Sequence, residues 1–428
     1  MRFHRLPDWL AWQETCHHTP IDLDLERVAR VADRLGLNRL PFPILSIAGT
    51  NGKGSGVALL ESIFTRAGYR VGTHTSPHLL RYNERVRLAG REASDEALVR
   101  AFHEIDRARG PTTLTYFEFG ALAAMWLFRR AGPDVAVLEV GLGGRLDAVN
   151  VFDADIALIT TIDLDHQAWL GNDREAIGRE KAGIYRAGRP AVCGDPAPPA
   201  SVRDHARAMG APWYCAGRDF RAWEDPHAPD RWHWESRLGG YRGLPNPALA
   251  GGHQRQNAAG ALMVLALLRD RLPVPQEAVR RGLAGVTLPG RFQVSETPEG
   301  VTRILDVAHN PQAARALARL LREKPRGGRT LAVVAMLEDK DREGVLRAME
   351  VAVHVWYAAD LDVPRGGTAK MMAATLSRSA TDARVHTLPG VPEAYHAALQ
   401  DARPGDRIVV FGSFYTVGIV SRLMAEGG

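Results

Sequence analysis

Apolar residues in this chain fall in short continuous runs, with stretches of helical spacing between them. Ile44 to Ala48, Val135 to Leu138, Ile156 to Ile159, Thr302 to Leu305, Leu331 to Ala335 and Arg407 to Phe411 each read as a strand buried on both faces, as in a parallel sheet. Arg70 to Thr75, Pro190 to Val192 and Val353 to Ala358 add further strands. Helical spacing covers Asp22 to Leu37, where Leu25, Val28, Val31 and Leu35 form one stripe and Gly36 ends it. It recurs at Asp95 to Arg107, at Thr115 to Arg130, in a helix carrying Arg174 to Lys181, at Ala258 to Leu268 and at Ala313 to Leu321. Strands alternating with helices predict an α/β fold with parallel sheets in both halves.

Two interruptions divide the pattern. From Pro196 to about Ala250 it weakens: Trp213, Trp223, Trp232 and Trp234 lie among charges, prolines and glycines, which predicts a small antiparallel or irregular patch. At Leu288-Pro-Gly-Arg291 regularity stops and a fresh strand–helix cycle begins. The boundary gives a domain at 1–287 with a mainly parallel sheet flanked by helices, and a smaller Rossmann-like α/β domain at 288–428.

Composition narrows the class. With 45% hydrophobic and 24% charged residues over 428, the chain is an ordinary globular protein. The net charge of +5 is spread, with no basic run of five or more, so no nucleic-acid patch is expected. Cys16, Cys193 and Cys215 are scattered and form no CxxC pair, which argues against a disulfide framework or structural zinc and suits a reducing cytoplasm. The first residues hold no apolar signal segment, and no uncharged apolar run reaches the ~18 residues of a membrane span.

The chemistry starts where the first of these strands stops. Gly49-Thr50-Asn51-Gly52-Lys53-Gly54-Ser55 follows Ile44–Ala48 and opens a helix. A Gly-rich turn lets backbone N–H groups close on phosphate oxygens, the helix N-terminus adds partial positive charge, and Lys53 adds a whole one. The match to the P-loop pattern GxxxxGK[ST] is imperfect, with Ile47 in place of the first Gly and the hydroxyl one residue late, at Ser55. Ser76, Glu139, Asp165 and His166 also stand at strand ends, which in a parallel sheet share one edge. A hydroxyl, a carboxylate and an imidazole beside a phosphate cradle suit Mg²⁺, which takes few protein ligands. Each also has a structural reading: Ser76 as a turn former before Pro77, Glu139 as an ion-pair partner, His166 as a core histidine. Lys181, in Arg179-Glu180-Lys181, reads as an ordinary helix-surface residue.

Taken together, Gly49 to Ser55, Ser76-Pro-His, Asn83-Glu-Arg85, Glu139-Val-Gly-Leu-Gly-Gly-Arg-Leu-Asp147, Asp165-His166, Glu180-Lys-Ala-Gly183, His253-Gln and Asp306-Val-Ala-His-Asn-Pro311 resemble the folylpolyglutamate synthase family, relatives of the Mur ligases. The likeness runs from about residue 20 to Tyr415, with Val149 where the family often has Thr and nothing alignable at 213–245. It implies an ATP-dependent ligase that adds L-glutamate to dihydropteroate or to the glutamate tail of reduced folates through an acyl phosphate. It implies that Gly49, Thr50, Asn51, Gly52, Lys53, Gly54 and Ser55 hold ATP phosphates, and that Asn257, Arg291 and Asp306 contact the nucleotide. Ser76, Glu139 and His166 would ligate Mg²⁺. Lys181 would be carbamylated and so hold a second Mg²⁺. His309 and Ser413 would lie near the incoming glutamate, with a closing cleft keeping water out. A monomer is expected. A Mur-type ligase for a peptidoglycan precursor and a non-catalytic P-loop protein are the competing readings. Gly54-Ser55, where Mur ligases have Thr-Thr, favours the folate branch.

Overall fold

The run Ile44–Ala48 forms β1 and sits in the middle of an eight-stranded sheet. The computed structural model describes residues 2–324, 327–378 and 383–426. The other strands of this sheet are β2 (Val71–His74), β3 (Val86–Leu88), β4 (Arg91–Glu92), β5 (Val135–Glu139), β6 (Ile156–Ile159), β7 (Ala191–Cys193) and β8 (Trp213–Cys215). Their order is β4-β3-β2-β5-β1-β6-β7-β8. β1 runs parallel to β5, with Ile47 opposite Glu139, and to β6, with Ile47 opposite Leu158. The chain leaving β1 reaches β2 on one side of the sheet, and the chain leaving β6 reaches β7 on the other. That reversal opens a crevice at the carboxyl ends of the central strands, the usual ligand position in such sheets.

The chain divides into two units. The first comprises Met1–His78, Tyr82–Ala248 and Gln254–Thr287; the second comprises Leu288–Gly428 with the short pieces Leu79–Arg81 and Leu249–His253. In the first unit the helices Asp95–Arg109 and Tyr116–Ala131 cover one face of the sheet, burying Phe102, Ile105, Phe119 and Phe128. A helix not anticipated from spacing, Leu6–Gln13, adds the fully buried Trp9 to that core. Ile159, Ile177, Ile184, Cys193 and Val202 build a second core.

The 196–250 stretch holds more structure than its pattern suggested. Ala200–Met209 is a helix, β8 follows, and β9 (Phe220–Asp225), β10 (Ala228–Ser236) and β11 (Gly239–Pro245) form a separate antiparallel sheet. Trp232 and Trp234 are buried, and the Trp234 indole donates to the Ala259 carbonyl at 3.2 Å. One helix is also shorter than its periodicity. The one expected at Asp22–Leu37 spans Glu26–Arg34, because Asp22 and Asp24 turn back to accept from Arg27. The helix expected to carry Arg174 to Lys181 spans Arg174–Ala182, and a short helix, Gln167–Leu170, precedes it and ends at Gly171 with φ +100°.

The second unit carries β12 (Gln293–Glu296), β13 (Thr302–Leu305), β14 (Thr330–Val334), β15 (Val355–Ala359), β16 (Arg384–Leu388) and β17 (Arg407–Phe411), in the order β12-β13-β17-β14-β15-β16. Period-two alternation sends Ile304, Ala332, Val334, Val409 and Phe411 into one core. It sends Leu305, Leu331, Val333, Ile408 and Val410 into the other. Both large sheets are mainly parallel, as expected, and β3, β4 and β12 add antiparallel pairs to them. β4 and β12 are edge strands and β3 lies next to β4, where an antiparallel partner needs only a short connection and no crossover helix.

Candidate active site

The P-loop is held by its neighbours. Gly49 has φ +152°, and a Cβ there would sit 1.9 Å from Thr160 Oγ1. The Thr160 hydroxyl lies 2.6 Å from the Asn51 carbonyl, and the Thr161 hydroxyl reaches the same oxygen at 3.0 Å. Thr50 is tied to the β6 exit in both directions: its hydroxyl donates to the Asp163 carbonyl and accepts from the Asp163 N–H. Gly52 precedes the helix Lys53–Arg66 in a left-handed conformation, φ +88°, against the Asn257 side chain. The Asn257 amide in turn donates to Gln254 Oε1 at 3.0 Å. Gly54 and the buried Ser55 lie in the first turn of the helix. The Lys53 ammonium folds back onto the Gly49 and Thr50 carbonyls at 3.0 and 3.3 Å. Backbone thus holds the cation in the loop's mouth, ready for a phosphate.

The other polar residues stand at neighbouring strand ends. The Ser76 N–H donates to Glu139 Oε2 at 3.2 Å, joining the ends of β2 and β5. His166 takes a left-handed φ of +52°, with its half-exposed imidazole 4.0 Å from Asp165 Oδ1. Lys181 is not the surface residue its spacing suggested: it is 4% exposed. Burial, with the Lys53 cation adding to it, lowers its pKa to about 7, against the attraction of Asp165 and Asp147. The close approach needs two glycines. A Cβ on Gly144 would meet the Glu180 and Lys181 carbonyls at 2.7 and 2.9 Å, and one on Gly183 would meet Arg145.

Sequence reasoning quoted Asp147 but gave it no role. It is fully enclosed, and burial pushes its carboxyl up to about 6 against the pull of the Leu142, Val149 and Gly141 amides. Its oxygens accept from Leu142 N–H at 2.8 Å and Val149 N–H at 3.0 Å, pinning the loop after Glu139. The signal was present: an acid five residues after Leu142 in a Gly-rich run has backbone donors to collect.

In the second unit, Asp306 accepts from the Phe292 and Ala308 amides, each at 2.9 Å; burial raises its carboxyl while Arg291 opposes the rise. The Arg291 guanidinium lies over the Phe414 ring at 5.2 Å. His309 Nδ1 stands 2.8 Å from the Val307 carbonyl, so that nitrogen carries the proton. Ser413 is committed. Thr416 Oγ1 gives its proton to the Ala335 carbonyl, so the Ser413 hydroxyl donates to Thr416 and accepts from its N–H.

The donor set fits a hard cation in part. The Ser76 hydroxyl, the Glu139 carboxylate and the His166 imidazole suit a Mg²⁺ that keeps waters and phosphate oxygens. A lysine amine does not suit Mg²⁺; a carbamate oxygen on Lys181 would. Forming that carbamate needs a neutral amine, and the pKa near 7 supplies one.

Comparison with known proteins agrees with this geometry. The family profile "Mur ligase, glutamate ligase domain" matches residues 290–414. The dihydrofolate synthase/folylpolyglutamate synthase of Escherichia coli (strain K12) is 46% identical, over 98% of this chain and 95% of that one. Escherichia coli FolC solved with DHPP and ADP superposes with a TM-score of 0.92 at 45% identity, over 99% of this chain and 98% of that one. The Yersinia pestis bifunctional folylpolyglutamate synthase/dihydrofolate synthase with AMPPNP and Mn ion gives 0.89 at 46% identity, over the same shares. Phosphate loop, strand-end donors and buried lysine thus stand within a likeness that covers almost every residue, and the chain belongs to the dihydrofolate synthase/folylpolyglutamate synthase family.

Proposed function

We propose that the chain joins L-glutamate to the carboxylate of dihydropteroate and to the glutamate tail of reduced folates, with ATP giving ADP and phosphate. The observation that carries this reading is the enclosure of Lys181 beside Lys53, Asp147 and Asp165, in a chain alike throughout to ligases of that name. The Mur-type and non-catalytic alternatives have no comparable support.

The chemistry follows from charge. A carboxylate cannot expel oxide, so the acid must first become an acyl phosphate. Bringing it to the γ-phosphate sets like charges together; at ~4 Å a pair of unit charges repels by about 4 kcal/mol at an effective dielectric of ~20. Lys53, held by two carbonyls, offsets that repulsion and stabilises the charge developing on the transferring phosphoryl group. Ser76, Glu139 and His166 would hold Mg²⁺, and carbamylated Lys181 a second ion, which would supply Lewis-acid stabilisation of the phosphoryl charge. The P-loop amides of Gly49 to Ser55 and the side chain of Asn257 grip the nucleotide. Asp147 fixes the loop that follows Glu139, so that the carboxylate points where Ser76 can meet it. The neutral amine of glutamate then attacks the acyl carbon and phosphate leaves.

His309 takes the glutamate side in this reading, with Nε2 able to accept the amine's proton. Ser413 acts there through the start of the helix Phe414–Glu426 rather than by donating its own proton. The segment 1–287 supplies ATP and acceptor binding, and 288–428 is the glutamate-ligase domain; the profile match at 290–414 supports the latter. The chain acts as a monomer in the cytoplasm, a reducing compartment that suits three free thiols.

The test is ADP release with ATP, Mg²⁺ and L-glutamate, with dihydropteroate, tetrahydrofolate and a UDP-muramyl acid offered in turn. Release with the two folates alone is expected. Release with neither folate would overturn the assignment.

A further inference from the structure

Cys193 and Cys215 end β7 and β8 and stand opposite one another in the parallel register of those strands. Neighbouring strands lie ~4.8 Å apart, inside the Cα separation of about 4.4–6.8 Å that a disulfide needs. Both thiols point at one acceptor, the Asp195 carbonyl, at 3.7 Å from Cys193 Sγ and 3.6 Å from Cys215 Sγ. Both thiols are buried, but Cys215 lies on the outermost strand of the sheet, three residues long, after the half-buried Trp213 and Tyr214. Such a strand opens locally at low cost. Arg218 stacks on Trp213 at 4.4 Å and donates to its carbonyl, placing a cation beside the strand.

We propose that Cys193 and Cys215 are a site of reversible oxidation by peroxide, closing to a disulfide that reports to the metal-binding segment through Asp195. Contact with Cys193 and, against the effect of burial, the Arg218 guanidinium hold the Cys215 thiol below its ordinary value; Cys193 is pushed well above its own by the same contact and by burial. Cys215, on the edge strand with the Arg218 cation beside it, is the nucleophile, and Cys193, on the inner strand, is the resolving thiol. The Cys215 thiolate attacks one peroxide oxygen, the O–O bond breaks, and the departing hydroxide is protonated to water. Cys193 sulfur then attacks the resulting sulfenic sulfur; its proton and the hydroxyl leave as a second water, and the S–S bond forms. The thiols lose two electrons and the peroxide gains them.

The consequence travels by named contacts. Closure takes both S–H groups from the Asp195 carbonyl. The Asp195 carboxylate accepts from the Ile162 N–H at 3.0 Å and from Arg174 at 3.3 Å. Ile162 lies on the segment that leads from β6 through Asp163 to Asp165 and His166.

The test treats the full chain with hydrogen peroxide, then splits the sample with and without dithiothreitol. Crosslink formation is read by peptide mapping, independent of any turnover. A Cys193–Cys215 crosslink is expected, with Cys16 still a free thiol and ADP release lower by about fivefold or more. Dithiothreitol should restore both, and Cys193→Ala and Cys215→Ala should keep their ADP release in the same peroxide. Absence of the crosslink, over-oxidation of Cys215, pairing with Cys16, or a crosslink with unchanged turnover would each overturn it.

Discussion

Lys53 and Lys181, from a P-loop and from a helix more than a hundred residues later, share one buried environment closely enough that the charge of the first disfavours charge on the second. Burial is the larger effect, and together they bring Lys181 from 10.5 to about 7. Between those values the unfolded chain holds a proton on this amine that the folded chain lacks, so folding stability rises with pH across that window. Below about 7 both states are protonated and the cost of burying the ammonium is at full size, on the order of 5 kcal/mol. In bicarbonate-free buffer, wild type minus Lys181→Met should gain stability between pH 7 and 10, as read by urea unfolding. A flat difference would show that Lys181 titrates normally.

The same amine should take up CO₂. Protein degassed at mildly acidic pH should lose ADP release and regain it on addition of bicarbonate. A carbamate carbon should appear by NMR with ¹³C-bicarbonate and be missing in Lys181→Met.

Lys53→Ala should reduce turnover with dihydropteroate and with tetrahydrofolate by a factor on the order of 10² to 10³ or more, since it removes a preorganised charge from the phosphoryl group. The melting temperature should stay within a few degrees of wild type, because the lysine's own bonds are to a loop. Full activity in this variant would remove the P-loop from the mechanism.

Glu139→Gln keeps the shape of the β5 end and removes its charge. Its affinity for Mn²⁺ in the presence of AMPPNP, measured by calorimetry, should fall by at least the ~10–100-fold typical of losing an outer-shell partner. Unchanged affinity would mean that the Ser76 contact is all Glu139 does.

Arg27 tests the fold apart from the chemistry. It bonds Asp22 at 2.6 Å and Glu118 at 3.0 Å, and Glu118 also closes the capping box of the helix Tyr116–Ala131 through Thr115. Arg27→Ala leaves a carboxylate that is 3% exposed without its cation. The cost in urea unfolding should be about 3–5 kcal/mol.

Much of this was legible because local rules and tertiary outcome agree. Ile156–Ile159, Thr302–Leu305 and Arg407–Phe411 are apolar runs bounded by turn chemistry, and they are strands with those limits. The phosphate loop was readable because its strand, glycines and helix lie in one stretch. Lys181 was not readable from residue type, since its burial depends on Gly144 and Gly183 letting two distant backbones approach. The Trp-rich stretch failed for another reason: β10 buries only Trp232 and Trp234, two residues apart, and the latter donates to the Ala259 carbonyl in the helix Gly252–Leu268, so a two-residue alternation was too short to read.

The glycines around the loop carry a consequence for how such a chain drifts in evolution. At 49, 52, 144 and 183 the constraint is on an absence: any side chain would collide with Thr160, Asn257, the Lys181 carbonyl or Arg145. Side chains elsewhere can therefore change by degrees, while these four positions admit no intermediate step. Substitution rates across orthologues should fall lowest at residues that touch neither nucleotide nor folate with a side chain.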